Sequence, residues 1–139
     1  MQIKKLLRAM REAGDGLPIL ANSSSGLGVR HRLNFEDPRF FDIHLDDRDH
    51  VHPNTGGMSV SPPPTSNIPE RLRRNRTIFA LETTVLHQHG LQFRRDPAKP
   101  DVHGFIEPLN VVHVSVYEQA LLRTRVHWHK QGDDDDSVD

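Results

Sequence analysis

Along the first thirteen residues the apolar positions are Ile3, Leu6, Leu7 and Met10, the spacing of one helical face, with Gly14 after them as a stop signal. That pattern predicts an amphipathic helix over residues 2–13, docked through its apolar stripe on the core or on a partner. After a polar loop at residues 22–26 the period changes. Leu27, Val29 and His31 alternate with Gly28, Arg30 and Arg32, which predicts a strand over residues 27–33. Phe41, Ile43 and Leu45 predict a second strand over residues 40–45, followed by a turn at 46–49. A third short strand is expected over residues 56–61. Pro62-Pro63-Pro64 ends it, because proline has no N–H to give to a ladder.

The second half continues in short pieces. Residues 68–73 read as a single helical turn, and residues 77–86 as a β-forming segment whose pattern also tolerates a helix. Strands are expected over 91–94 and 102–107, with a turn at 96–100 between them and Pro108 as the stop. Ser115, with Glu118 three residues on, reads as a capping box that opens a last helix over 115–127. Val116, Ala120 and Leu121 form its apolar stripe. The expected fold is α+β: a small mixed or antiparallel sheet with N- and C-terminal helices, in one domain over residues 1–131. The acidic run Asp133 to Asp136, with Asp139, makes residues 132–139 an expected disordered tail.

Bulk properties narrow the picture. The chain has 139 residues, enough for one domain, but only 35% are apolar and ten are proline, so the core is small and the loops many. A net charge of −1 gives no general attraction to nucleic acid or membranes. With no cysteine, disulfide and thiolate chemistry are excluded and cytosolic synthesis is the simplest expectation. No apolar run approaches the ~20 residues that span a bilayer, and residues 3–7 are too short and charged for a signal-peptide core. Export, if it occurs, would then use a dedicated machine.

Ten histidines include three His-x-His pairs, His50/His52, His87/His89 and His127/His129. On a strand such a pair shares one face and offers two metal positions, but no third-ligand pattern accompanies them, so no metal is expected. Arg71, Arg73, Arg74 and Arg76 form a basic cluster with only Phe79 as an aromatic neighbour, which suits a solvated loop better than a base-stacking platform. An acidic protein is the better match to that cluster.

The segment Thr55-Gly56-Gly57-Met58-Ser59-Val60 carries a family resemblance. With Leu27-Gly28-Val29-Arg30, Ile68-Pro69 to Arg74, His103-Gly104-Phe105-Ile106-Glu107-Pro108 and Tyr117 to Trp128, it is similar to a small family of bacterial type VI secretion toxins with an ADP-ribosyltransferase-like fold. The likeness covers most of residues 17–129. It implies a bacterial effector that uses NAD as substrate, either modifying a macromolecule or hydrolysing the dinucleotide. It also implies a bacterial cytoplasmic location, with delivery to a target-cell cytoplasm, and a neutralising immunity or antitoxin protein as partner.

The order Arg30, Ser59, Glu107 follows the arginine, serine and glutamate order of many such transferases. The resemblance gives Arg30 the pyrophosphate or ribose, through its bidentate fork. Ser59 would position the ligand, and Glu107 would stabilise the oxocarbenium-like charge as nicotinamide leaves. Thr55, Gly56 and Gly57 would line the nicotinamide pocket, with His52 and His103 flanking it as hydrogen-bonding groups. On this reading Glu107→Ala abolishes turnover and leaves the fold intact. Two alternatives stay open: a non-enzymatic module of the same fold that binds a protein or nucleotide, and a histidine-based metal-dependent hydrolase.

Overall fold

The computed structural model describes residues 2–132. The expected acidic tail therefore lies, apart from Gly132, outside the described residues. Two three-stranded antiparallel sheets form the frame. In the first, β1 (Lys5–Met10) pairs with β4 (Thr77–Glu82), running from Lys5 opposite Glu82 to Met10 opposite Thr77, and β4 pairs on its far side with β8 (His129–Lys130). In the second, β6 (Gly104–Pro108) lies between β3 (Met58–Val60) and β5 (Leu91–Arg95). A two-residue pair, β2 (His50–Val51) with β7 (Val112–His113), stands apart.

One isolated bridge stitches the two sheets together. Leu7 and Ser61 exchange both backbone hydrogen bonds, at 2.8 and 2.9 Å, and the pairing goes no further. The next carbonyl along β3, that of Ser59, accepts instead from the Arg8 guanidinium at 2.7 Å. A side chain thus takes over where the ladder stops.

The main core lies where the helix α3 (Val114–Arg123) packs on both sheets. Tyr117 and Leu121 meet Leu6, Met10 and Phe79 from the first sheet and Met58, Leu91 and Ile106 from the second. Side chains of this size contribute about 1.5–3 kcal/mol each on burial. Tyr117 also ties the sheets to the helix, donating to the Ile106 carbonyl at 2.5 Å and accepting from Met58 N–H at 3.0 Å. A second, smaller core holds Leu7, Ala9, Ala80 and Ile68 on the opposite face of β1 and β4, covered by the turn of α1 (Glu70–Arg73).

The expected N-terminal helix is a strand. Residues 6–10 are buried on both faces, Leu6 and Met10 in the main core and Leu7 and Ala9 in the smaller one. A doubly buried strand has no polar face, so its short apolar run also satisfies helical spacing. The predicted strand at 27–33 forms no ladder: it is bridged only at Leu27 to Leu20 and enters a turn at residues 32–34, though Leu27, Val29 and His31 are buried. Residues 40–45 form no strand either; a 3-10 turn at Pro38–Phe40 precedes them.

The strands expected at 91–94 and 102–107 form as β5 over 91–95 and β6 over 104–108, the latter starting two residues later and including Pro108, which pairs with Leu91; 77–86 resolves into β4 followed by the turn of α2 (Thr84–His87). The last helix starts at Val114, one residue before the expected cap. His113 is the N-cap, accepting from Ser115 N–H at 3.1 Å, while Glu118 reaches His31 at 3.3 Å instead of closing a capping box. The fold is α+β with small antiparallel sheets and few helices. Among the described residues no helix is long and apolar enough to cross a membrane.

Candidate functional site

Where β1 and β3 part, a cleft of about 560 Å³ opens. That volume falls in the range of small-molecule sites. Its floor is β1 and β3, and its walls are the Arg30–Asp42 loops, the segment from Ser61 to Leu72, and the turn from Asp96 to His103. Four cationic side chains, Arg8, Arg30, Arg71 and Lys99, line it against two carboxylates, Asp42 and Asp96.

Arg8 is the least expected of these. It sits in the buried run of β1 at 8% exposure, and its guanidinium donates to the carbonyls of Gly26 (2.9 and 3.2 Å), Ser23 (3.0 Å) and Ser59 (2.7 Å). All of those partners are neutral, and among the described residues Arg8 makes no ion pair. Burial pushes its pKa down to about 10, against a smaller opposing pull from the Asp42 carboxylate. A cation held in low dielectric without a direct counter-ion is costly.

Asp42 is itself committed to Arg30. It accepts from the Arg30 N–H at 2.7 Å, from Nε at 3.1 Å and from the second guanidinium nitrogen at 3.2 Å. The Arg30 guanidinium also lies over the rings of Phe35 (5.7 Å) and Phe40 (6.0 Å), a cation–π placement. The Asp42 carboxylate therefore bonds Arg30 directly and acts on Arg8 only through its field, without contact.

Of the residues singled out in the sequence, Arg30, Ser59 and His103 come together on this cleft. Ser59 alternates outward between the core residues Met58 and Val60, as its strand position requires. The remaining five lie off the cleft lining. Glu107 shares the sheet face of Ser59, because Phe105 stands opposite Ser59 and Glu107 follows two residues on. It is nevertheless fully buried. Its carboxylate accepts from Arg94 Nε and Gln92 Nε2, both at 2.8 Å, and from Asn54 N–H of the loop above at 3.0 Å. The carboxylate that the sequence pointed to as electrostatic catalyst is thus saturated by the fold.

His52 pairs with Asp46 at 2.7 Å, a bond that holds the Asp46 carboxyl well below its ordinary range, and Thr55 donates its hydroxyl to the His52 carbonyl at 2.6 Å. Both serve the 46–55 loop. Gly56 and Gly57 have a packing role. Gly56 has φ of +137°, and a Cβ on it would stand 2.6 Å from the Asp42 carbonyl; a Cβ on Gly57 would overlap the Ile106 carbonyl. Gly57 N–H donates to Asp42 O at 3.0 Å. The glycine pair lets the Asp42 loop lie against β3 and β6, and Asp42 in turn sets Arg30. The glycine pair acts on the cleft indirectly, whereas Ser59 of the same motif lines it.

The basic cluster divides. Arg71 lines the cleft, Arg73 donates to the Ile68 carbonyl at 3.1 Å, Arg74 faces Glu70 at 3.7 Å, and Arg76 donates to the Ser24 carbonyl at 3.2 Å. Among the described residues no three His, Asp or Glu side chains are grouped to hold a metal ion. His50 packs edge-on against His113, and His89 lies tilted against His127.

Sequence reasoning missed Arg8, Asp42, Asp96 and Lys99. A signal existed for Arg8: it is the single charge inside Leu-Leu-Arg-Ala-Met, which is conspicuous once the segment is read as a buried strand. Searches among protein-family models, curated proteins and solved structures match nothing to this chain.

Proposed function

We propose that the cleft binds the pyrophosphate-bearing dinucleotide NAD and that the chain acts on it as an ADP-ribosyltransferase-like bacterial effector. The observation that carries the reading is the buried Arg8 without a counter-ion, beside Arg30 and below Arg71 and Lys99. A phosphate-bearing ligand would supply the missing negative charge in a low-dielectric setting, where charge-assisted hydrogen bonds are strongest. NAD as the particular ligand, the transferase-like fold and the effector role rest on the sequence resemblance. Arg71 and Lys99 take the phosphates, Arg30 with Phe40 forms the adjoining wall, and Ser59 positions the ligand from the floor. An acidic immunity or antitoxin protein would find the same cationic opening complementary.

The three bonds that its carboxylate accepts favour a clamping part for Glu107 over the catalytic one that the resemblance implies. It clamps Arg94, Gln92 and the 52–57 loop. That saturation favours a second reading, a module that binds the nucleotide without cleaving it.

Calorimetric titration with NAD, followed by an assay of nicotinamide release, tests the proposal. Binding that weakens in Arg71→Ala and Lys99→Ala variants, with nicotinamide released by the parent chain, supports it. Binding without release selects the non-enzymatic module. Absence of binding by folded protein refutes both.

A further inference from the structure

We infer that His103, oriented by Asp96, is the proton acceptor for the attacking nucleophile in this cleft. The inference rests on the NAD-cleaving reading and goes beyond it by naming the base.

The turn from Asp96 to His103 is built around the pair. Asp96 N–H donates to the His103 carbonyl, and His103 N–H to the Lys99 carbonyl, each at 3.0 Å. The Asp96 carboxylate accepts from Ala98 N–H at 2.9 Å through one oxygen and bonds His103 Nδ1 at 2.8 Å through the other. Those bonds hold the Asp96 carboxyl below its ordinary range, the His103 bond contributing most, so it remains an acceptor. With Nδ1–H given to the carboxylate, Nε2 carries the free lone pair, and it makes no hydrogen bond among the described residues. Phe105 packs edge-on against the ring with centroids 5.0 Å apart, which fixes its plane. A base held by an orienting carboxylate, with its second nitrogen unbonded on a residue that lines a cleft, is the arrangement general-base chemistry requires.

A second pair in the same chain shows what is distinctive. His52 and Asp46 lie 2.7 Å apart, yet that imidazole is 43% exposed and off the cleft, whereas His103 is 29% exposed and on it. Among the described residues carboxylate pairing alone recurs; pairing at the cationic cleft does not. The other ionisable groups lining the cleft with His103 are Lys99 and Asp96 from its own turn, Arg71 from α1, Arg8 from β1, and the Arg30–Asp42 pair.

The step balances as follows. A water oxygen bonds the anomeric carbon of the nicotinamide ribose while its proton passes to His103 Nε2. The carbon–nitrogen bond breaks, its electron pair goes to the pyridinium nitrogen, and nicotinamide leaves neutral. The imidazolium then gives its proton to solvent, so one water is consumed and one proton released. A hydroxyl of a macromolecule in place of water gives transfer.

The test is nicotinamide release against pH, from about pH 5 to 9, for the full chain and the His103→Gln and Asp96→Asn variants, with NAD affinity and thermal melts measured alongside. His103→Gln is expected to lose ~10²–10⁴-fold in kcat with little change in affinity, and to lose the acid limb of the pH profile. Asp96→Asn is expected to lose less and to keep a displaced limb, as befits a positioning residue. If His103→Gln melts early, His103→Ala with added imidazole replaces it, and restored release supports the assignment. A His103→Gln variant with parental kcat and the same limb overturns the inference while leaving NAD cleavage standing. A parent chain that binds NAD without release overturns it and leaves the binding module; one that does not bind NAD overturns this inference and the reading beneath it.

Discussion

Glu107→Ala should damage the fold before it damages any chemistry. The Glu107 side chain is fully buried and its partner Arg94 is 22% exposed, so truncation strands a mostly desolvated guanidinium. Breaking a buried pair by removing one partner costs about 3–5 kcal/mol. The amide of Gln92 and the N–H of Asn54 also lose their acceptor, each worth about 1–3 kcal/mol if it stays dry. Asn54 is exposed and can rehydrate, which keeps the total near about 3–5 kcal/mol. Against a domain stability of about 5–15 kcal/mol this is a large fraction. It corresponds to a fall in Tm of roughly 10–15 °C for a chain of this length. Glu107→Gln retains one acceptor oxygen and should lose less. Urea unfolding followed by circular dichroism measures the difference, with a lower midpoint and an unchanged slope expected. A Glu107→Ala protein with the parental midpoint that has lost nicotinamide release would refute the reasoning, because the carboxylate would then act on a ligand and not on Arg94.

Three further outcomes follow from the same contacts. Gly57→Ala places a Cβ into the Ile106 carbonyl and should destabilise by about 1–3 kcal/mol in urea, whereas Gly14→Ala, where a Cβ meets nothing within 4 Å, should not lower the midpoint comparably. Arg8→Met leaves the Gly26, Ser23 and Ser59 carbonyls without their donor, each about 1–3 kcal/mol if unhydrated, and should also remove any rise in Tm that pyrophosphate gives the parent chain. Asp15, Asp37, Asp46 and Asp96 all titrate below the ordinary 3.8 in the folded chain, through bonds from Arg125, Arg39, His52 and His103. Their folded values lie below their unfolded ones, so their stabilisation is complete above the ordinary value and is lost as pH falls from there toward the depressed values. Thermal melts should therefore drop below about pH 4 and flatten in Asp46→Asn; a constant Tm down to about pH 2 would contradict this.

How much was legible divides along physical lines. Strands with a partly solvated face announce themselves by alternation, and β3 and β5 were readable for that reason; β6, buried at four of its five residues, was readable from its place between a turn and Pro108. β1 was not: with both faces buried its apolar run has no period that excludes a helix, and what buries the second face, Ile68 with Ala80, comes from far along the chain. The set Leu27, Val29 and His31 is buried although no ladder forms, because burial does not require strand pairing. Arg30 and Ser59, taken from the resemblance with Glu107, and His103, taken as a flanking group, do line one cleft. The roles of Glu107, Gly56 and Gly57 were not readable, because they depend on long-range partners: Arg94, Asp42 and the Ile106 carbonyl. Ser115 and Glu118 match a capping box in sequence, but His113 two residues earlier and His31 across the core compete for the same bonds and win.

The most direct test of the account is NAD titration into the full chain at low and moderate salt, with Arg71→Ala and Lys99→Ala in parallel. Both side chains are exposed cleft residues whose removal leaves the core contacts intact. The account predicts saturable binding that weakens with salt and weakens again in each variant. Equal binding in parent and variants, or none by a parent chain that melts cooperatively, would contradict the claim that this cationic cleft is a dinucleotide site.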